Sequence, residues 1–156
     1  MNHNQNTITL TVSSDPRYLK LVRSVILQAG MLMNFTEKIC RDITLAADEA
    51  MTNIIKHSYK NDYERQIIVT ITFHDRCLEI ALRDFGEKAD PSTIKPRDLS
   101  EVKPGGLGVF FIKKIMDDVE YDSSPEHGTI LRLKKYVEPH TQHSTFKNEG
   151  DECTST

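Results

Sequence analysis

Cysteine is scarce in this chain, and the three present, Cys40, Cys77 and Cys153, are an odd number without CxxC spacing. That count excludes a disulfide framework and a zinc ribbon, and points to free thiols in a reducing compartment. Positive charge is not in excess either: 20 Lys and Arg face 23 Asp and Glu, a formal charge of −3. A nucleic-acid binder would rest on a basic surface, so that class is set aside. Long apolar runs are missing. The longest, such as Val25-Ile26-Leu27 and Val109 to Ile112, fall far short of a membrane span. The opening Met1 to Thr7 lacks the basic start and apolar stretch of a secretory signal. The expectation from these absences is a cytoplasmic protein with neither nucleic acid nor membrane as partner. An HxxH at His140 and His143 sits in a polar stretch and reads as solvated surface.

What remains is 156 residues, enough for one domain that buries its own core. Thr7 to Val12 alternates apolar and polar residues, as a half-buried strand does. Asp15-Pro16 caps a helix that carries Tyr18, Leu21, Val22, Val25 and Ile26, with Gly30 as its stop. A second helix spans Thr36 to about His57, its inner face set by Ile39, Ile43, Ala46, Ala47, Ala50 and Ile54. Gln66 to Phe73 and Cys77 to Arg83 alternate around a His74-Asp75-Arg76 turn and form a hairpin. Asp84 to Pro104 is irregular and charged, and a loop of that length in a small domain is often a functional lid. A helix from the Gly105 to Gly108 run to Met116 and two extended pieces, Val119 to Asp122 and Thr129 to Tyr136, complete the order β-α-α-β-β-loop-α-β-β. The expected fold is α+β: a two-layer α/β sandwich with a mixed, mostly antiparallel sheet and helices on one face. The domain is expected over residues 1–137, and the polar stretch 138–156 reads as a disordered tail.

Three segments carry chemistry only in combination. Glu49, Asn53 and His57 are spaced i, i+4, i+8 and share one helix face. A carboxylate and a carboxamide one turn apart suit hydrated Mg²⁺, which prefers oxygen ligands, and the carboxylate can take a proton from a hydroxyl. Taken alone, the triplet reads as an ordinary solvated face, with Asp48 as surface charge or support. Asp84-Phe85-Gly86 follows a strand, where a carboxylate can accept from an exocyclic amine and a glycine lets a flat ring approach. Asp-x-Gly also describes many plain turns, and a kinase-type DFG lacks its upstream catalytic loop here. Gly105, Gly106, Leu107 and Gly108 open a helix, where exposed N–H groups and the helix dipole favour phosphate. No Lys-Ser/Thr follows, so this is not a Walker loop. The order of the three is what a chance sequence rarely supplies.

In that order the chain resembles the GHKL ATPase superfamily, the fold of histidine-kinase catalytic domains, gyrase B and Hsp90. Within it the resemblance is to bacterial anti-sigma-factor serine/threonine kinases, over roughly residues 7–137. Asp48 to Tyr59 is similar to their N-box, Gly105 to Val119 to their G2 segment, and Ser123 to Thr129 to the stretch before their last strand. The resemblance implies Glu49 as catalytic base, Asn53 as Mg²⁺ ligand and His57 near the phosphates of ATP. It implies Asp84 on the adenine amine, Gly86 and Thr129 beside the base, and Gly105, Gly106, Leu107 and Gly108 over the phosphates. One departure is that Gly86 is followed by Glu87-Lys88-Ala89, where many GHKL chains place a second glycine. Lys95, Arg97 and Lys103 are candidates for the γ-phosphate, although solvated surface charge is the ordinary reading of each one. The implied activity is phosphorylation of a STAS-type anti-anti-sigma protein, with sequestration of a sigma factor by a homodimer. The alternative is a non-catalytic ATP-binding module that regulates by partner exchange.

Overall fold

The computed structural model describes residues 6–86 and 107–138. The expected alternating segments form one five-stranded sheet: β1 (Asn6–Ser13), β2 (Gln66–Phe73), β3 (Cys77–Arg83), β4 (Asp118–Asp122) and β5 (Ile130–Tyr136). The spatial order is β1-β2-β3-β5-β4. Where the sequence reading allowed a mixed sheet, all four pairings among the described residues are antiparallel. Register follows from the alternation, because a slip of one residue would turn every apolar side chain outward. Ile71 therefore lies opposite Ile8 on one side and Ile80 on the other, and Ile80 lies opposite Leu133. Ile67, Val69, Ile71, Leu78, Ile80, Leu82 and Leu133 are fully buried. Each such side chain contributes about 1.5–3 kcal/mol from apolar area removed from water. The alternate residues, among them Thr9 opposite Thr70 and Glu79 opposite Lys134, make the polar outer face.

Among the described residues three helices cover the inner face: α1 (Leu19–Leu32), α2 (Glu37–Asn53) and α3 (Leu107–Ile115). Asp15 accepts from the Arg17 amide at 2.9 Å, and Pro16 opens a 3₁₀ turn, Pro16–Tyr18, that leads into α1. Gly30 does not end this helix. It lies inside α1, where a Cβ would come within 2.9 Å of Cys40 Sγ on α2, so the small residue sets a close helix–helix contact. The stop is Asn34, at φ 59°. The Asn34 amide donates to Met31 O and the Phe35 amide to Gly30 O, a Schellman closure with asparagine in the left-handed position. Thr36 then caps α2 by accepting from the Ile39 amide. Ala46, Ala47 and Ala50 give α2 a flat buried stripe. Asp48 serves as support: its Oδ2 accepts from Arg23 at 3.1 Å and ties α2 to α1.

The second helix also ends otherwise than its periodicity suggests. Regular α-helix stops at Asn53, and Ile54–Ser58 forms a π turn, closed by the Tyr59 amide on Ile54 O at 3.0 Å. No helix among the described residues is long and apolar enough to cross a membrane. The Asp84–Pro104 lid reading past Gly86, with Lys95, Arg97 and Lys103, lies outside the described residues. So does the expected tail beyond Glu138, with His140 and His143.

Candidate active site

The structure sorts the predicted site residues into two groups joined by the end of α2. Glu49, Asn53 and His57 line one cleft of about 980 Å³ together with Gly108, Phe110 and Phe111 of α3. The helical spacing of Glu49 and Asn53 places both on that wall, and His57 reaches it from the π turn. Gly108 stands against the carboxylate itself, since a Cβ there would lie 2.0 Å from Glu49 Oε1. Any side chain at position 108 would displace Glu49, so the glycine is what lets the start of α3 close on that carboxylate. Gly105 and Gly106 lie outside the described residues, and of Leu107 only its place at the head of α3 is described.

The second group is built on the pairing of β3 with β5. The Asp84 amide donates to Thr129 O at 3.0 Å, and Asp84 Oδ1 accepts from the Gly86 amide at 2.9 Å. Asp84 and Thr129 are both buried. A Cβ on Gly86 would meet Ser58 O at 2.5 Å, so this glycine is fitted to the backbone of the π turn. Gly86 and Ser58 also line a smaller cleft of about 440 Å³ with Arg65, His127 and Gly128. Asp84 and Thr129 line neither cleft as described, so the two groups are adjacent along the chain path rather than merged in one cavity.

Burial pushes the Asp84 carboxyl above the ordinary aspartate range, and the amides of Gly86 and Thr129 only partly oppose it. The folded state therefore holds this proton more tightly than the unfolded chain. Its contribution to stability is present below the ordinary value of 3.8 and is lost as pH rises through the folded value. Asp84→Asn is accordingly expected to resist urea better than wild type at pH 7. That advantage should shrink as pH falls toward 3.8, which parallel urea titrations at several pH values will measure.

Tyr59 is a residue that motif reasoning passed over. It is buried at the end of the π turn, and its hydroxyl donates to Gln66 O while accepting from the Phe85 amide at 2.8 Å. Arg65 lies over its ring, 5.1 Å from the centroid, and donates to Phe85 O at 2.9 Å. These contacts clamp the start of the Asp84-Phe85-Gly86 segment to the end of α2. Its sequence signals were an aromatic residue directly after the helix pattern and its place at the end of the Asp48 to Tyr59 segment, neither of which named a role. Tyr59→Phe strands a buried amide and carbonyl, so a loss of about 1–3 kcal/mol is expected, read as a lower urea midpoint.

The cleft has the donor chemistry for Mg-ATP. Among the described residues no three His, Cys, Asp or Glu side chains converge on a metal position. Mg²⁺ keeps several waters and leans on one or two protein oxygens plus substrate phosphates. Glu49 and Asn53 supply such oxygens on one wall.

Residues 12–135 match the histidine kinase-like ATPase domain family. The chain belongs to that family. Among its histidine kinase-like relatives, the serine-protein kinase RsbW of Listeria monocytogenes serovar 1/2a is 31% identical over 140 residues, covering 83% of this chain and 87% of the relative. RsbW of Bacillus subtilis strain 168 is 28% identical over 147 residues, 88% of this chain and 89% of its own. The anti-sigma F factor of the same strain is 35% identical over 104 residues, 62% and 68% of the two chains. Family membership and architecture agree: the described residues form three helices on an antiparallel sheet, with α2 and the head of α3 meeting at Glu49. The resemblance read from the sequence, to the GHKL anti-sigma kinases, is the family the chain belongs to.

Proposed function

We propose that this chain is an ATP-dependent serine/threonine-protein kinase that acts as an anti-sigma factor. It transfers the γ-phosphate of ATP to a STAS-type antagonist protein, and it sequesters a sigma factor when that antagonist is phosphorylated. The observation that carries this reading is the closure of Gly108 on Glu49 at the cleft that Asn53 and His57 share. A carboxylate so placed can orient the acceptor hydroxyl and take its proton, while the amide groups at the head of α3 face the phosphates. Asn53 would hold Mg²⁺, whose charge offsets that of the triphosphate when bound. Asp84 would accept from the adenine amine, with Gly86 and Thr129 beside the ring.

The names of the relatives support the partners: serine-protein kinase and anti-sigma factor imply an acceptor protein and a sigma factor. A homodimer and a cytoplasmic site of action complete the proposal. The free edge of β1, which pairs only with β2 among the described strands, offers a surface for a second copy.

The test is incubation with γ-labelled ATP, Mg²⁺ and candidate STAS-type proteins. Label appearing on a serine or threonine of one candidate is the expected result. Tight nucleotide binding without transfer to any partner would replace the kinase reading by that of a regulatory module working through partner exchange. Asp84→Ala that left ATP affinity unchanged would overturn the adenine assignment.

A further inference from the structure

The cleft that holds Glu49 runs past it toward the start of α2. Leu45, Asp42 and Lys38 line that stretch, with Phe110 and Lys114 of α3 and Lys135 of β5. Leu45 and Phe110 are large apolar side chains left 50% and 39% accessible. Most of the charge here is already matched. Lys38 pairs with Asp42 at 3.0 Å, and Lys135 with Asp117 at 2.8 Å. Lys114, one turn along α3 from Phe110, has no ion-pair partner among the described residues.

What this half of the cleft takes follows from the chemistry proposed for the other half, and the inference rests on that reading. Asp84 and Gly86, assigned to adenine, stand beyond the end of α2, where Gly86 fits against Ser58. A nucleotide running from there passes Asn53 before Glu49, so its γ-phosphate is the part nearest Leu45. Phosphoryl transfer holds the attacking and leaving oxygens roughly in line. The leaving oxygen lies on the adenosine side. The acceptor therefore enters from the Leu45 side.

We propose that the groove from Glu49 to Lys114 receives the segment of the acceptor protein that flanks the phosphorylated hydroxyl, and that this segment carries an apolar and an acidic residue. Leu45 is about 6 Å from Glu49 along α2, a span that an extended segment covers in about two residues. Lys114 stands about 9 Å along α3 from Gly108, which meets Glu49, a span of about three residues. The apolar residue sits about two positions from the hydroxyl and covers Leu45 and Phe110. The acidic residue sits about three positions away on the same side and pairs with Lys114. Leu45, Phe110 and Lys114 thus choose the acceptor, while the far half of the cleft holds ATP.

The test uses the full-length chain and the STAS-type protein that takes label from ATP in the incubation above. Leu45→Ala and Lys114→Glu are each expected to raise the acceptor KM about tenfold or more, while the KM for ATP holds. Leu32→Ala, at an exposed apolar position in a separate cleft, should leave both unchanged. Each Asp and Glu within about four residues of the labelled hydroxyl is then changed to Lys. One of these changes should bring the raised KM of Lys114→Glu back down. An unchanged acceptor KM in either groove variant overturns the proposal and leaves the kinase reading standing. An equal rise with Leu32→Ala, or failure of every charge reversal, does the same. An acceptor KM that climbs with enzyme concentration would put a second copy in the groove and overturn the proposal too. No transfer to any candidate protein would remove the kinase reading first, and this inference with it.

Discussion

Glu49→Gln is expected to slow phosphoryl transfer by about 10²–10⁴-fold, the range a positioned general base contributes. At about 1.36 kcal/mol per factor of ten, this is about 2.7–5.4 kcal/mol of transition-state stabilisation. Glutamine keeps the size of the side chain, so Gly108 still packs against position 49 and the head of α3 stays in place. Nucleotide affinity should therefore hold while the rate collapses. Single-turnover transfer from labelled ATP separates the two quantities, because binding and chemistry are read in different phases. A variant that lost ATP as well as rate would make Glu49 a binding residue instead of a base. Gly108→Ala offers a companion measurement: its Cβ displaces the same carboxylate, so it should mimic Glu49→Gln in rate with the chemistry of the group unchanged.

Gly128→Ala is expected to destabilise the whole domain by about 2–5 kcal/mol. Gly128 has φ 69°, a left-handed conformation that costs an L residue about 1–2 kcal/mol. Its Cβ would also stand 2.1 Å from Asp84 O and 2.8 Å from Phe85 Cα, both backbone atoms that cannot swing aside. Relieving such overpacking costs about a further 1–3 kcal/mol. The two strands would have to part where the Asp84 amide meets Thr129 O, so the Asp84 end of the candidate site loosens together with the fold. Against a total of about 5–15 kcal/mol for an ordinary domain, this is a large share. Urea titration gives the loss directly. An unchanged midpoint would show that β5 can begin without its tight turn.

The fold was legible where side-chain periodicity alone decides structure. β2 and β3 alternate strictly, and both pair as expected because only one register buries Ile67, Val69, Ile71 and Leu82 together. Gly30 misled because a glycine near a helix end has two readings, a stop and a close contact. The partner that distinguishes them, Cys40, lies ten residues away across a turn. The π turn carried no local mark, since Ile54 and Ile55 fit a continuing α-helix equally well. In the candidate site, Glu49 and Asn53 share a wall because a helix fixes their spacing. The contact of Gly108 with Glu49 joins positions 59 residues apart, and only the tertiary fold could reveal it. Tyr59 stayed hidden for a related reason: its role lies in two backbone partners, Gln66 and Phe85, that no motif names.

The turn at Ile54–Ser58 has a consequence for chain length. Its i→i−5 closure holds one residue more than an α-helical turn would, so Tyr59 arrives at an angle that ordinary helix would not give it. Removing any one of these five residues would let α-helix run on and rotate everything after it by about 100°. Tyr59 would then point away from Phe85, and Ser58 away from Gly86, with the helix hardly shorter. A single-residue deletion there acts as a change of phase between the two halves of the site.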